Sequence, residues 1–248
     1  MKNVLLIDSG SGGVNVLSEC VRLCPSCNYL LFCDTKNLPY GAKDKEDLCS
    51  ITLKNLEDIY RFFKFEIVIF ACNTLSCTCL QECRDAYKNI TFVGTVPAIK
   101  PALEKYDAKD VLVLATPVTT KHNVLLNKHK DLQVLALDFL AKDIDDHLDN
   151  LQTLKDKIEK NLKSTTAKAV VLGCTHYRAV KDFIVDALGG NVEVFDSQNG
   201  VARRLKSFVE DDKQNCQIQI MVSGDANFLP QLWNFYNMNK HFSYKNNL

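Results

Sequence analysis

The chain has 248 residues, 46% hydrophobic and 24% charged, with thirty basic and thirty acidic side chains that leave no net charge. That is the balance of a soluble globular protein of one or two domains, without the concentrated positive field on which nucleic-acid and anionic-membrane partners rely. The amino terminus offers only Val4-Leu-Leu-Ile7 as an apolar stretch, too short for a signal peptide or a membrane span, so a cytoplasmic location is expected.

In chain order, the apolar run Val4–Ile7 leads into Asp8-Ser9-Gly10-Ser11-Gly12-Gly13, with a helix expected from near Val14. Glycines permit a tight turn, and free N–H groups at a helix start attract anions. The turn is a poor nucleotide signature: Asn15 stands where a dinucleotide fingerprint has its third glycine, and the Gly-Lys-Ser/Thr ending of a phosphate loop is missing. Asp8 then caps the helix or takes part in chemistry; an acid beside an anion-binding turn does not suit nucleotide phosphate.

The stretch Val14–Leu23 is amphipathic and ends at Pro25. It carries Cys20, with Cys24 and Cys27 following, a spacing that resembles a radical-SAM cluster motif. A helix is not the dedicated loop a cluster needs, and one Cys-x2-Cys pair is a weak zinc signal, so no metal is expected. Tyr29–Phe32 is the next strand, Leu48–Phe63 has helical period, and Ile67–Phe70 leads into Ala71-Cys72-Asn73-Thr74. Cys77, Cys79 and Cys83 fall on the helix after it and read as packing thiols.

Strands are further expected at Thr91–Val93, Val111–Leu114, Val134–Leu137, Ala169–Leu172, Val192–Phe195 and Ile218–Val222, with a helix over Leu151–Leu162. Short continuous apolar strands alternating with helices imply mainly parallel sheets covered on both faces, an α/β fold. Val111–Leu114 leads into Ala115-Thr116 as Val4–Ile7 leads into Asp8, and Ala169–Leu172 leads into Gly173-Cys174-Thr175-His176 as Ile67–Phe70 leads into Cys72. A duplicated pair of α/β halves would form its cleft where the carboxyl ends of both sheets meet.

Eleven cysteines without a secretory signal are expected to be thiols, not a disulfide framework. Only Cys72 and Cys174 sit at matched strand-to-helix junctions, where N–H dipoles favour a thiolate. His176, two residues beyond Cys174, suits proton exchange with that thiol. His122, His129, His147 and His241 lie in polar surroundings and read as surface residues.

Together Ile7-Asp-Ser-Gly-Ser-Gly-Gly-Val14, Asp34-Thr35 with Pro39-Tyr-Gly41, Ala71-Cys-Asn-Thr74 and Gly173-Cys-Thr-His-Tyr177 resemble the bacterial glutamate racemases. Thr116-Pro-Val-Thr119, Asp196-Ser197 with Val201-Ala-Arg203, and Ser223-Gly-Asp225 extend the likeness over nearly the whole chain. His176 favours glutamate, because the related aspartate racemases carry an acid there. The resemblance implies two pseudo-symmetric flavodoxin-like domains, residues 1–94 with 207–248 and residues 95–206. It also implies a cofactor-independent two-base racemase for glutamate, commonly a homodimer, whose product D-glutamate feeds peptidoglycan synthesis. The alternatives are an aspartate or other amino-acid racemase, or a glutamate-binding homologue with little turnover.

By the same resemblance, Cys174 takes the α-proton from L-glutamate and Cys72 from D-glutamate, assisted by His176 and Asp8 respectively. Asp8, Ser9, Tyr40, Gly41, Asn73, Thr74, Thr116, Thr119, Thr175 and His176 hold the substrate. The chain departs from the family pattern at Cys33 and Asn37, at Thr95-Val-Pro-Ala98, and at Leu137–Asp143, where a proline-bearing stretch usually ends in glutamate.

Overall fold

The computed structural model describes residues 1–210 and 216–245. Among the described residues nine strands form two sheets: β1 Asn3–Asp8, β2 Asn28–Cys33, β3 Ile67–Phe70, β4 Thr91–Gly94, β5 Val111–Ala115, β6 Gln133–Ala136, β7 Ala169–Gly173, β8 Glu193–Phe195 and β9 Ile218–Val222. The first sheet has the order β4-β3-β1-β2-β9 and the second β6-β5-β7-β8. Every pairing among them is parallel. With β9 set aside, the two orders are the same when each half is counted from its own first strand, so the fold is two α/β halves of one topology.

That order places the site. In each half the chain leaves its first strand in one direction and returns on the other side for the third, so the crevice opens at the carboxyl ends of these two neighbours. Those ends are β1 and β3 in one half and β5 and β7 in the other.

Residue alternation along β1 explains how the halves are joined. Val4 and Leu6 belong to a core shared with Leu112, Leu172 and Tyr177 of the second half. Leu5 and Ile7 face the other side and pack with Leu30, Leu56, Val68, Phe70 and Leu75. A third core of Val111, Val113, Val171 and Ile99 covers the far face of the second sheet. One continuous apolar mass therefore crosses between the halves and sets their spacing.

Helix α1, Gly12–Leu23, follows β1 and stops two residues before Pro25, whose ring disfavours helical backbone at Cys24. Cys20, Cys24 and Cys27 lie within the shared core, and the Cys24 thiol points at the Ala202 carbonyl, 3.9 Å away. Among the described residues no group of three His, Cys, Asp or Glu is arranged to hold a metal. Helix α2, Lys45–Tyr60, starts three residues earlier than its apolar period suggests, because the Asp44 side chain caps it by accepting from the Asp47 amide at 2.8 Å. The expected Leu151–Leu162 helix is a 3-10 turn over Leu151–Leu154 followed by a helix over Lys155–Leu162. No helix among the described residues is long and apolar enough to cross a membrane.

Candidate active site

Asp8 is the last residue of β1; Cys72 follows β3, Thr116 follows β5 and Cys174 follows β7. Both cysteines have extended backbone and directly precede a helical turn: α3, Asn73–Thr78, after Cys72 and a 3-10 turn over Thr175–Val180 after Cys174. Each is only 7% exposed.

Contacts between these carboxyl ends are reciprocal. The Thr175 hydroxyl of the second half donates to Asp8 Oδ2 at 3.0 Å, and the Gly10 amide donates to Asp8 Oδ1 at 3.1 Å. Asp145 of the second half accepts from the Ser11 amide of the first at 3.0 Å, while Asn15 Nδ2 donates to the Thr175 carbonyl at 2.9 Å. Thr74, Thr116 and Thr119 form a triangle of hydroxyls across the same boundary, with separations of 2.9, 3.2 and 3.1 Å.

His176 lies at the middle of this network, 2% exposed. Its Nδ1 is 3.6 Å from Cys174 Sγ and its Nε2 is 3.2 Å from Asp145 Oδ2. Burial works against the imidazolium, but the Asp145 carboxylate and the Cys174 sulfur outweigh it and hold the His176 pKa well above the ordinary histidine value. Burial pushes Asp8 up to about 6, against the opposing pull of His176 and of the Gly10 and Thr175 hydrogen bonds. Burial also drives the Cys72 thiol well above its usual value, and the charges of Asp8 and Cys174 push it the same way. Asp8 and Cys174 are thus both within electrostatic reach of Cys72.

The remaining expected site residues line the same region. Ser9 Oγ is 3.4 Å from Asp8 Oδ1. Tyr40 donates to Asp34 at 2.8 Å, and Gly41 abuts Thr116 so closely that a Cβ there would come within 3.2 Å of the threonine Cβ. Asn73 donates to the Thr95 carbonyl at 3.4 Å, but its Oδ1 and the Ser11 hydroxyl are buried with no partner among the described residues. Buried polar atoms of that kind call for an occupant.

Two acids emerge that carried no assigned role in the sequence. The acid facing His176 is Asp145; Asp143, at the end of the stretch where the family places its glutamate, is instead paired with Lys157. A signal was available: Asp145 shares the buried face of its helix with Leu140 and Ile144, where an acid needs a partner. Asp34 is fully buried and accepts from several side chains. The glycine-rich turn also has a different reason from the one its sequence suggests. Gly10 and Gly12 do not have positive φ; they are small because the second half presses on them. A Cβ on Gly10 would lie 1.9 Å from Asp145 Oδ2, and one on Gly12 would lie 2.4 Å from Thr175 Oγ1. The anions at this helix start are the protein's own carboxylates.

Comparison with known proteins gives the family. Residues 4–205 match the Asp/Glu/Hydantoin racemase family. A glutamate racemase of Clostridium perfringens is 32% identical over 234 residues, 91% of this chain and 89% of the relative. One from a Shewanella species is 33% identical over 237 residues, 90% of this chain and 85% of the relative. Among solved structures, the Escherichia coli glutamate racemase in complex with L-glutamate and an activator superposes with a TM-score of 0.83 at 25% identity, covering 96% of this chain and 95% of that one. The Aquifex pyrophilus glutamate racemase superposes with a TM-score of 0.73 at 26% identity, covering 95% of each. With a cysteine at the same strand-to-helix junction of each of two like-folded halves, this chain belongs to the Asp/Glu/Hydantoin racemase family.

Proposed function

We propose that the protein interconverts L- and D-glutamate without a cofactor, with Cys72 and Cys174 as proton carriers on opposite faces of the substrate α-carbon. The observation that carries the reading is the unequal electrostatic setting of two equivalent junctions. His176, kept protonated by Asp145, is 3.6 Å from Cys174, whereas Cys72 is held as a thiol by burial and by Asp8. Racemisation needs that inequality: one sulfur must take a proton while the other gives one.

In the L-to-D direction, the positive His176 supports Cys174 as the base and Cys72 supplies the proton. In the reverse direction Cys72 must first lose its proton. Asp8, with its pKa near 6, is ionised at neutral pH and suited to receive it. An amino-acid α-hydrogen is far less acidic than a thiol, so the α-carboxylate needs donors fixed in place while the carbanion develops. Ser9, Tyr40, Gly41, Asn73, Thr74, Thr116, Thr119 and Thr175 are the candidates for holding the ammonium and carboxylates. The unpartnered Asn73 Oδ1 supports such an occupant.

Glutamate as substrate is supported by the names of the relatives and by L-glutamate in the Escherichia coli complex. The reading carries with it a supply of D-glutamate for peptidoglycan synthesis, a cytoplasmic enzyme and a homodimer. We take the halves to be residues 1–94 with 207–248 and residues 95–206; the pairing of β9 with β2 supports the return of the chain to the first half.

The test is α-hydrogen exchange in deuterated water, followed by NMR on L- and D-glutamate and on both aspartate enantiomers. Exchange with racemisation of glutamate is expected. Exchange confined to aspartate would replace the substrate, and glutamate binding without exchange would reduce the protein to a binding homologue.

A further inference from the structure

One buried group has no part in the proton transfers. Asp34, between β2 and the Tyr40 turn, is fully buried, yet among the described contacts its carboxylate has only neutral side-chain donors. Asn37 Nδ2 lies 3.0 Å from both oxygens. Tyr40 and Asn55 of α2 donate to Oδ2 at 2.8 and 3.0 Å, and Ser223, just past β9, donates to Oδ1 at 2.6 Å. The Asp34 amide itself donates to the Asp8 carbonyl at 2.8 Å.

A buried carboxylate without a cationic partner is expensive, and apolar residues of similar size would serve stability as well or better. What it provides is direction: four elements are oriented on one point. Of its donors, only Tyr40 adjoins the site. The Tyr40 hydroxyl is within electrostatic reach of Cys72 and Asp8, and the next residue, Gly41, lies against Thr116 of the second half. A tyrosine hydroxyl has one proton, and here it is committed to Asp34.

Resting on the racemase reading above, we infer that Asp34 is a positioning residue: through the Tyr40 hydroxyl it fixes the Tyr40–Gly41 wall on the Cys72 side of the cleft. Asp34 touches no reacting atom; it acts through Tyr40 alone among its partners. The other three donors, Asn37, Asn55 and Ser223, keep the carboxylate from turning.

The experiment is a double-mutant cycle of Asp34→Asn and Tyr40→Phe, with steady-state kinetics on both glutamate enantiomers and melting temperatures in parallel. Each single variant is expected to raise KM about tenfold, the loss of roughly one hydrogen bond to a charged group. The kcat should change less than about threefold, and the double variant should match the worse single one. Independent, multiplying effects on KM would overturn the inference. So would a lowered melting temperature with KM unchanged, which is what a merely structural acid gives. If Asp34→Asn does not fold, Tyr40→Phe with wild-type KM overturns it alone. An inactive wild-type protein instead sinks the racemase reading, so the two failures are distinct.

Discussion

Replacing Asp145 by asparagine tests the electrostatics of the site most directly. Asp145 Oδ2 lies 3.2 Å from His176 Nε2, and the histidine is 2% exposed. At an effective dielectric of about 20, opposite charges at that separation attract by about 5 kcal/mol. Burial of the ring opposes its charge, and the carboxylate overcomes that opposition. Asparagine keeps the shape and can still accept from the Ser11 amide, but it removes the charge. His176 then loses its proton at neutral pH, and Cys174 loses the cation 3.6 Å away. Loss of one such preorganised group costs about 10²–10³ in rate. The enantiomers have equal free energy in water, so kcat/KM must fall by the same factor in both directions. Circular dichroism of the substrate, followed from each enantiomer, measures this. Stability should respond as well, because breaking a buried pair from one side costs about 3–5 kcal/mol. The sign follows from the raised His176 pKa: its stabilising contribution is full below the unfolded value and is lost as pH rises through the folded one. The melting-temperature gap between wild type and Asp145→Asn should therefore be wide near pH 7 and narrow in the alkaline range. Asp145→Glu, which keeps the charge, should retain more activity. A folded Asp145→Asn enzyme within about threefold of wild-type kcat/KM would refute the role given to the His176 charge.

Other expectations follow from the same geometry. Cys72→Ser and Cys174→Ser should each abolish full racemisation, since a serine hydroxyl is a far weaker base near neutral pH; substantial turnover in both variants, read by polarimetry, removes the two-thiol mechanism. Gly12→Ala should lower stability by about 1–3 kcal/mol and reduce activity, because its methyl would lie 2.4 Å from Thr175 Oγ1 and 2.5 Å from His176 Nδ1. Gly200→Ala, in the helix over Gln198–Lys206 with nothing within 4 Å of its Cβ, should instead be neutral or slightly stabilising in urea unfolding. Asp8, raised from 3.8 to about 6, gives a contribution to stability that is full below its unfolded value and lost as pH rises through about 6, on the order of 3 kcal/mol. Asp8→Asn should flatten that decline in a pH series of melting curves and remove an acidic limb near pH 6 from kcat/KM.

Much of the fold is legible in the residues because it is local. The central strands β1, β3, β5 and β7 are short runs dominated by Val, Ile, Leu and Phe, and a strand buried on both faces needs nothing subtler than that. Helix boundaries are less legible, since a single side chain such as Asp44 moves a start by a turn. The paired cysteines are visible in the sequence because each occupies the same place in one repeated strand-to-helix unit, and the repeat distinguishes them from nine other thiols.

The partnership of the halves is decided only by the tertiary structure. Asp145 meets His176 from 31 positions away, and Thr175 meets Asp8 from 167. No spacing rule connects such residues; the apolar core shared by the two halves brings them together. The same packing turns Gly10 and Gly12 from an apparent anion cradle into clearance for the opposite half. It also gathers Asn37, Tyr40, Asn55 and Ser223 onto Asp34. Local pattern names the residues able to do proton chemistry. Which of them are charged follows from burial and from neighbours that the chain supplies at long range, because a charge in a low-dielectric interior is set by what stands within a few ångströms of it.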